Sequence, residues 1–374
     1  MKAYEQSGEH TPMGAYLSRR SFLRTASLAT TGGILGGLVG CGGSSSGGSA
    51  ASDAGELNLF IWTEYVPESV LQSFQDETGI TVNVSYYSTN EDLYAKLRSE
   101  TEGTYDIVQP SDYMVAKLIA QDMLEPLDTG GLENFSNIGS SYLGMSYDPD
   151  NAYSVPYMVA MAGLAYNSSM VDKPIEGYAD LFDPAYENSI LVLDDARCVI
   201  GITNLVLGHD ASTTDPDELA AAADKLMTMK KNVKIFDSDN AKASLISGDC
   251  AIAYNWNAEL VLASREVPDI EYVYPSEGAI INEDNWCIAK GAANYDNAMK
   301  FIDYILRPEV SAACSEELPY VNPNMAALDI LGSEYTDNEA LNPTPDQMAS
   351  CVYIDNLSVD AQASYEEIWT SFKK

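Results

Sequence analysis

The chain has 374 residues, with 20 Lys and Arg against 56 Asp and Glu and a formal net charge of −36 at pH 7. A field this negative repels nucleic acid and acidic lipid surfaces and attracts cations, so no nucleic-acid partner is expected. Beyond residue 40 the only histidine is His209, and Cys198, Cys250, Cys287, Cys314 and Cys351 have no C-x-x-C spacing, so no metal site and no cofactor are expected. An odd number of cysteines leaves at least one thiol unpaired in a monomer, and most are expected to be buried as small apolar residues.

In chain order, the first feature is "SRRSFLRT", with Arg19 and Arg20 ahead of a Gly- and Ala-rich apolar run that ends at Leu38-Val39-Gly40-Cys41. The arginine pattern resembles a twin-arginine export signal. The second resembles a bacterial lipobox, in which Cys41 becomes the lipidated first residue, so residues 1–40 read as a signal. A spanning helix needs about 18 apolar residues; this run is shorter and broken by glycines, and membrane contact is expected through the lipid anchor alone. Residues 41–56, "CGGSSSGGSAASDAGE", read as a flexible Gly/Ser tether. A Gly-x-Ser-x-Gly match at Gly43 to Gly47 lacks the strand and helix that a hydrolase elbow requires. Residues 41–374 retain 16 basic and 54 acidic side chains.

From Leu57 strands and helices alternate. "LNLFI" predicts a strand, and Pro67 opens a helix with Val70, Leu71 and Phe74 on one face, closed by Gly79. "ITVNVSYY" alternates as a half-buried strand, and "TNEDLYAKLRSE" is a helix with a Thr/Asn cap. "YDIVQP" is a buried strand broken by Pro110, and "SDYMVAKLIAQDML" is a helix entered through Ser111 and Asp112. A second block holds the strand "SILVLDD", the helices "ARCVIGITNLVLG" and "PDELAAAADKLMTMKKN", and the strands "VKIFD", "CAIAYNW" and "IEYVYPSEG". The pattern predicts an α/β fold of two units with a mainly parallel sheet and a ligand site between the units.

Open α/β sheets bind ligands beyond the carboxyl ends of their strands. Those ends read Trp62-Thr63-Glu64-Tyr65, Ser111-Asp112-Tyr113, Asp194-Asp195-Ala196-Arg197, Asn255-Trp256-Asn257 and Asp284. Nearly all are aromatic or acidic, the side chains an aliphatic polycation needs: carboxylates for its ammonium groups and flat faces for its methylenes. Plainer roles exist for each. Tyr65 can be the apolar staple before the Pro67 helix, and Asp112 and Asp195 can simply cap helices. Catalysis has little to draw on, with no HExxH, Walker A or Gly-x-Gly-x-x-Gly motif and one histidine past the signal.

"LFIWTEYVPESVLQSFQDETGITVNVSYYSTNEDLYAKL" resembles the start of the spermidine/putrescine-binding proteins of polyamine ABC transporters. The likeness continues through "YDIVQPSDYMV", "YSVPYMVAMAGLAYN", "ILVLDDAR", "NWN" and "LPYVNPN". It implies a type II periplasmic-binding-protein fold, with lobe 1 built from 57–158 and 283–328, lobe 2 from 161–280 and 329–374, and a ligand cleft between them. It also implies that Trp62, Thr63, Glu64, Tyr65, Ser111, Tyr113, Asp195, Trp256, Asp284, Tyr320 and, less securely aligned, Asp355 contact the ligand. The chain departs from the pattern at Cys198, where Glu is frequent, and at Asn282, where an aromatic is common. Asp112 is the candidate replacement for the missing carboxylate. The function implied is non-enzymatic: an extracytoplasmic, membrane-anchored lipoprotein that captures a polyamine and delivers it to a permease and its ATPase. The alternatives are a receptor of the same fold for another cationic or small organic ligand and, further off, a lipid-anchored hydrolase.

Overall fold

The computed structural model describes residues 55–374 except 64; the signal, Cys41, nearly all of the tether and Glu64 lie outside the described residues. β1 (Glu56–Trp62) leads into α1 (Glu68–Thr78), where Pro67 sets the entry, Val70, Leu71 and Phe74 form the buried face and Gly79 ends the helix at φ 73°. After β2 (Thr81–Tyr87), the first turn of α2 (Asn90–Ser99) is capped by Thr89, whose Oγ1 accepts from the Asp92 N–H at 3.1 Å. β3 (Ile107–Val108), α3 (Asp112–Ala120) and β4 (Leu124–Glu125) complete this run.

β5 (Val155–Asn167) then carries the chain into β6 (Ile190–Val192), α4 (Ala196–Leu207), α5 (Pro216–Met229), β7 (Val233–Phe236), α6 (Ala241–Ile246), β8 (Ile252–Trp256), α7 (Asn257–Glu266) and β9 (Ile270–Val273). β10 (Ile280–Ala289) returns it to α8 (Tyr295–Ile305) and α9 (Pro308–Glu317). The chain finishes with α10 (Met325–Leu331), α11 (Ser333–Thr336), α12 (Pro345–Ser350), β11 (Val352–Tyr353) and α13 (Val359–Lys373).

The strands form one sheet in the order β2-β1-β3-β10-β5-β8-β6-β7, with β4 and β11 paired to β10 and β9 paired to β5. The expectation of a mainly parallel sheet holds at its two ends, where β1 pairs with β2 and β3, and β6 with β7 and β8, and in the short pairing of β11 with β10. The middle is antiparallel, because β5 and β10 run against each other and against their outer neighbours β8 and β3. Every residue of both strands is buried. Strands covered on both faces show no apolar/polar alternation, so the period-two pattern does not reveal them.

These two strands divide the core. Val155, Tyr157, Met158, Trp286 and Ile288 pack with Leu57, Phe74 and Phe301, whereas Ala162, Leu164, Tyr166 and Ile280 pack with Tyr178, Ile200, Tyr254 and Phe372. Gly163 in β5 is needed for space: a Cβ there would stand 2.6 Å from the Tyr272 hydroxyl oxygen.

Candidate functional site

Asp284 sits in the middle of β10, at a register slip between Asp284 and Asn285, and not at a strand end as the sequence suggests. The slip lies where residue 111 bridges to it from the entry of α3. The Asp284 carboxylate accepts from Ser111 Oγ at 2.6 Å and from the Tyr65 hydroxyl at 2.8 Å. Ser111 is therefore not a side-chain cap for α3, since its hydroxyl is directed at Asp284. Tyr65 is wedged edge-on against Tyr320 (5.1 Å between ring centres) and Tyr157 (5.6 Å), and Tyr157 donates to the Tyr65 carbonyl at 2.9 Å. Trp62 packs on Tyr87 at 4.6 Å. Its indole N–H is close enough to Asp284 to favour the charged carboxylate, yet it is buried without a completed hydrogen bond among the described residues.

Beside this group Asp112 is 3% exposed. One of its oxygens takes the Tyr113 N–H at 2.6 Å and the other the Glu283 N–H at 3.3 Å. Burial, only partly offset by these donors, pushes its carboxyl up to about 7. Burial likewise raises Asp284 to about 6 despite its hydroxyl donors, and Glu283, 0% exposed, to about 8. Among the described residues no Lys, Arg or His is ion-paired with any of the three. Three adjoining buried carboxyls without a counter-charge are costly unless protons or a cationic guest neutralise them.

The second run of elements holds the remaining residues expected at the site. Asp195 caps α4, accepting from the Cys198 N–H at 2.9 Å, which is the plainer of the roles open to it. Cys198 itself points into the core, where burial holds its thiol proton on, so it supplies no replacement charge. Trp256 ends β8 and remains half-buried at the entry to α7. Arg197 links the two runs of elements: its guanidinium lies 5.8 Å from the Tyr113 ring centre and 5.5 Å from that of Tyr365, and it donates to the Asp355 carbonyl at 2.5 Å. Asp355 is exposed, but its carboxylate is near enough to contribute to the raised pKa of Asp112.

The fold therefore brings Trp62, Tyr65, Ser111, Asp112, Tyr113, Asp284 and Tyr320 together, with Asp195 close enough to act on Tyr113 and Asp355 on Asp112, whereas Trp256 makes no hydrogen bond or ring contact with this group among the described residues. Thr63 is exposed and spends both its N–H and its hydroxyl on the Tyr87 carbonyl, at 3.2 and 3.3 Å. Glu283 was absent from the sequence-based set. The available signal was the polar run Asn282-Glu283-Asp284-Asn285 inside the otherwise apolar "AIINEDNWCIA", which marks a buried strand carrying charge for a purpose other than packing.

An α/β sheet crossed by two antiparallel strands, with a buried acidic and aromatic site on one of them, is the architecture of a receptor for a small solute. The chain belongs to the bacterial extracellular solute-binding proteins, whose family model matches residues 69–343. It is 37% identical over 324 residues to the spermidine/putrescine-binding periplasmic protein of Salmonella typhimurium, covering 86% of this chain and 93% of that one. Among solved structures it resembles the spermidine/putrescine ABC transporter substrate-binding protein of Streptococcus pneumoniae, with a TM-score of 0.75, 32% identity and coverage of 85% and 98%. It also resembles the Tp0655 lipoprotein of Treponema pallidum, with a TM-score of 0.74, 27% identity and coverage of 85% and 99%.

Proposed function

We propose that this chain is the polyamine receptor of an ABC transporter, held outside the cytoplasmic membrane by a lipid on Cys41, and that it performs no catalysis. The observation that carries the reading is the pair of buried carboxyls at Asp112 and Asp284, with no Lys, Arg or His ion-paired to either among the described residues, standing with Trp62, Tyr65 and Tyr320 and adjoined by Glu283 on the other face of β10. An anionic solute would meet these acids unshielded, whereas a diamine or triamine supplies the missing charges and lays its methylenes on the rings. The binding of spermidine and putrescine by relatives at 37% identity supports the same class of ligand.

The mechanism follows from two lobes, 57–158 with 283–328 and 161–280 with 329–374, moving about β5 and β10. A ligand that touches both walls favours closure by its differential affinity for the closed state, and the permease with its ATPase receives that state. Calorimetric titration of residues 41–374 with putrescine, cadaverine, spermidine and glutamate tests the reading. The amines should bind and glutamate should not, with about 2.7 kcal/mol of added stability at 100-fold excess over Kd. No heat and no stabilisation with any of the amines would refute it.

A further inference from the structure

Successive side chains of a strand point to opposite faces. Asp284 turns toward Ser111 and Tyr65, whereas Glu283 Oε1 takes the Tyr147 hydroxyl at 2.5 Å, and that hydroxyl also lies 3.3 Å from Asn285 Oδ1. Glu283 and Asn285 thus occupy the face of β10 turned away from Asp284. Glu283 Oε2 is buried and has no partner among the described residues. As a carboxylate it lacks a donor, and as an acid, with its proton on Oε1 toward the Tyr147 hydroxyl oxygen, Oε2 still lacks one; a buried polar atom so placed calls for a partner. Asp112 reaches the same backbone through its bond to the Glu283 N–H. Tyr142 and Tyr353 complete the surroundings, their phenols raised first by burial and then by the Glu283 charge, and Asp355 and Asp284 act on Asp112 from the flanks. A hard divalent ion gives up its hydration shell far less readily than a monovalent one, so two buried carboxyls within a ring of phenols suit one monovalent cation.

We propose that Glu283, on the face of β10 opposite Asp284, and Asp112, which reaches the Glu283 N–H from the entry of α3, form a second cation subsite walled by Tyr142, Tyr147 and Tyr353 and occupied by an ammonium group or an alkali ion. The inference rests on reading the β10 acids as a site for cations and adds a position outside the ligand set implied by the family resemblance. Its two sources of charge are separable. If the guest is an amine of the ligand, Glu283→Gln weakens triamine binding roughly tenfold or more while diamine binding changes much less. If it is a free ion, KCl or NH4Cl raises the wild-type Tm relative to choline chloride at equal ionic strength, and Glu283→Gln abolishes that rise. Glutamine keeps the volume and the Tyr147 contact, and Asp112→Asn serves as a second variant should the first fold poorly.

Wild type and variant that agree in both arms would overturn the subsite and leave a water or a proton as sufficient occupant. Wild type that binds no polyamine would overturn the proposed function instead, while the salt arm still tests the subsite.

Discussion

Replacing Asp284 with Asn should weaken ligand binding while stabilising the empty protein above neutral pH. The Asp284 carboxyl is 5% exposed, and burial raises it from an ordinary 3.8 to about 6 even with Ser111 and Tyr65 donating to it. A shift of about 2 units disfavours the folded state by on the order of 3 kcal/mol once the group is ionised. Because the folded pKa is the higher one, the penalty is absent below about pH 4, where both states hold the proton. It grows toward pH 6 as the unfolded chain loses its proton first, and it is constant above that. Asparagine keeps the volume and one acceptor and removes the penalty. It also removes the partner of a ligand ammonium, a charge-assisted hydrogen bond of about 1.5–3 kcal/mol, or roughly 10- to 150-fold in affinity. Titration calorimetry with spermidine and urea unfolding of the empty protein at pH 4 and pH 8 measure the two effects. Undiminished affinity, or a variant less stable than wild type at pH 8, would refute the reasoning.

Trp256→Ala should weaken polyamine binding roughly 2- to 30-fold if its half-buried ring forms a wall for the ligand, as read by calorimetry; unchanged affinity places the ring outside the site. Gly278 has φ 93°, and a Cβ there would collide with the Ser350 carbonyl oxygen, so Gly278→Ala should lower the urea midpoint by about 1–3 kcal/mol of stability without touching the acidic site. Cys41→Ser should move the protein from the membrane fraction to the soluble extracytoplasmic fraction; retention at the membrane would rule out the lipid on that cysteine as its anchor.

α1 and β2 are legible because each has a wet face, and β3, β6 and β8, though buried, because each is a short apolar run closed by a turn or helix start. Val70, Leu71 and Phe74 recur at helical spacing beside exposed Glu68 and Ser69, and Thr89 and Gly79 punctuate the ends of their helices. β5 and β10 were illegible for the converse reason, since burial on both faces erases the alternation that announces a strand. That loss propagated to the site. Because β10 shows no alternation, Asp284 reads as a strand end and nothing local singles out Glu283. The Ser111 hydroxyl, read as the start of a helix, is committed to a carboxylate 173 positions away, a pairing that no local pattern encodes. The aromatic and acidic residues after β1, β3, β6 and β8 could be found because a strand end followed by a helix is a local signal.

The insertion of β10 between β3 and β5 also bears on how the chain acquires its structure. Ile107 and Val108 have to wait for Ile288 and Cys287, and Val155 for Trp286, before their hydrogen-bond ladders can close. Contacts so distant in sequence incur a large loop-closure entropy and slow the search for the native state. A nascent chain that stops short of residue 290 therefore leaves an apolar strand edge unsatisfied, which makes the interval between synthesis and completion the period of greatest aggregation risk.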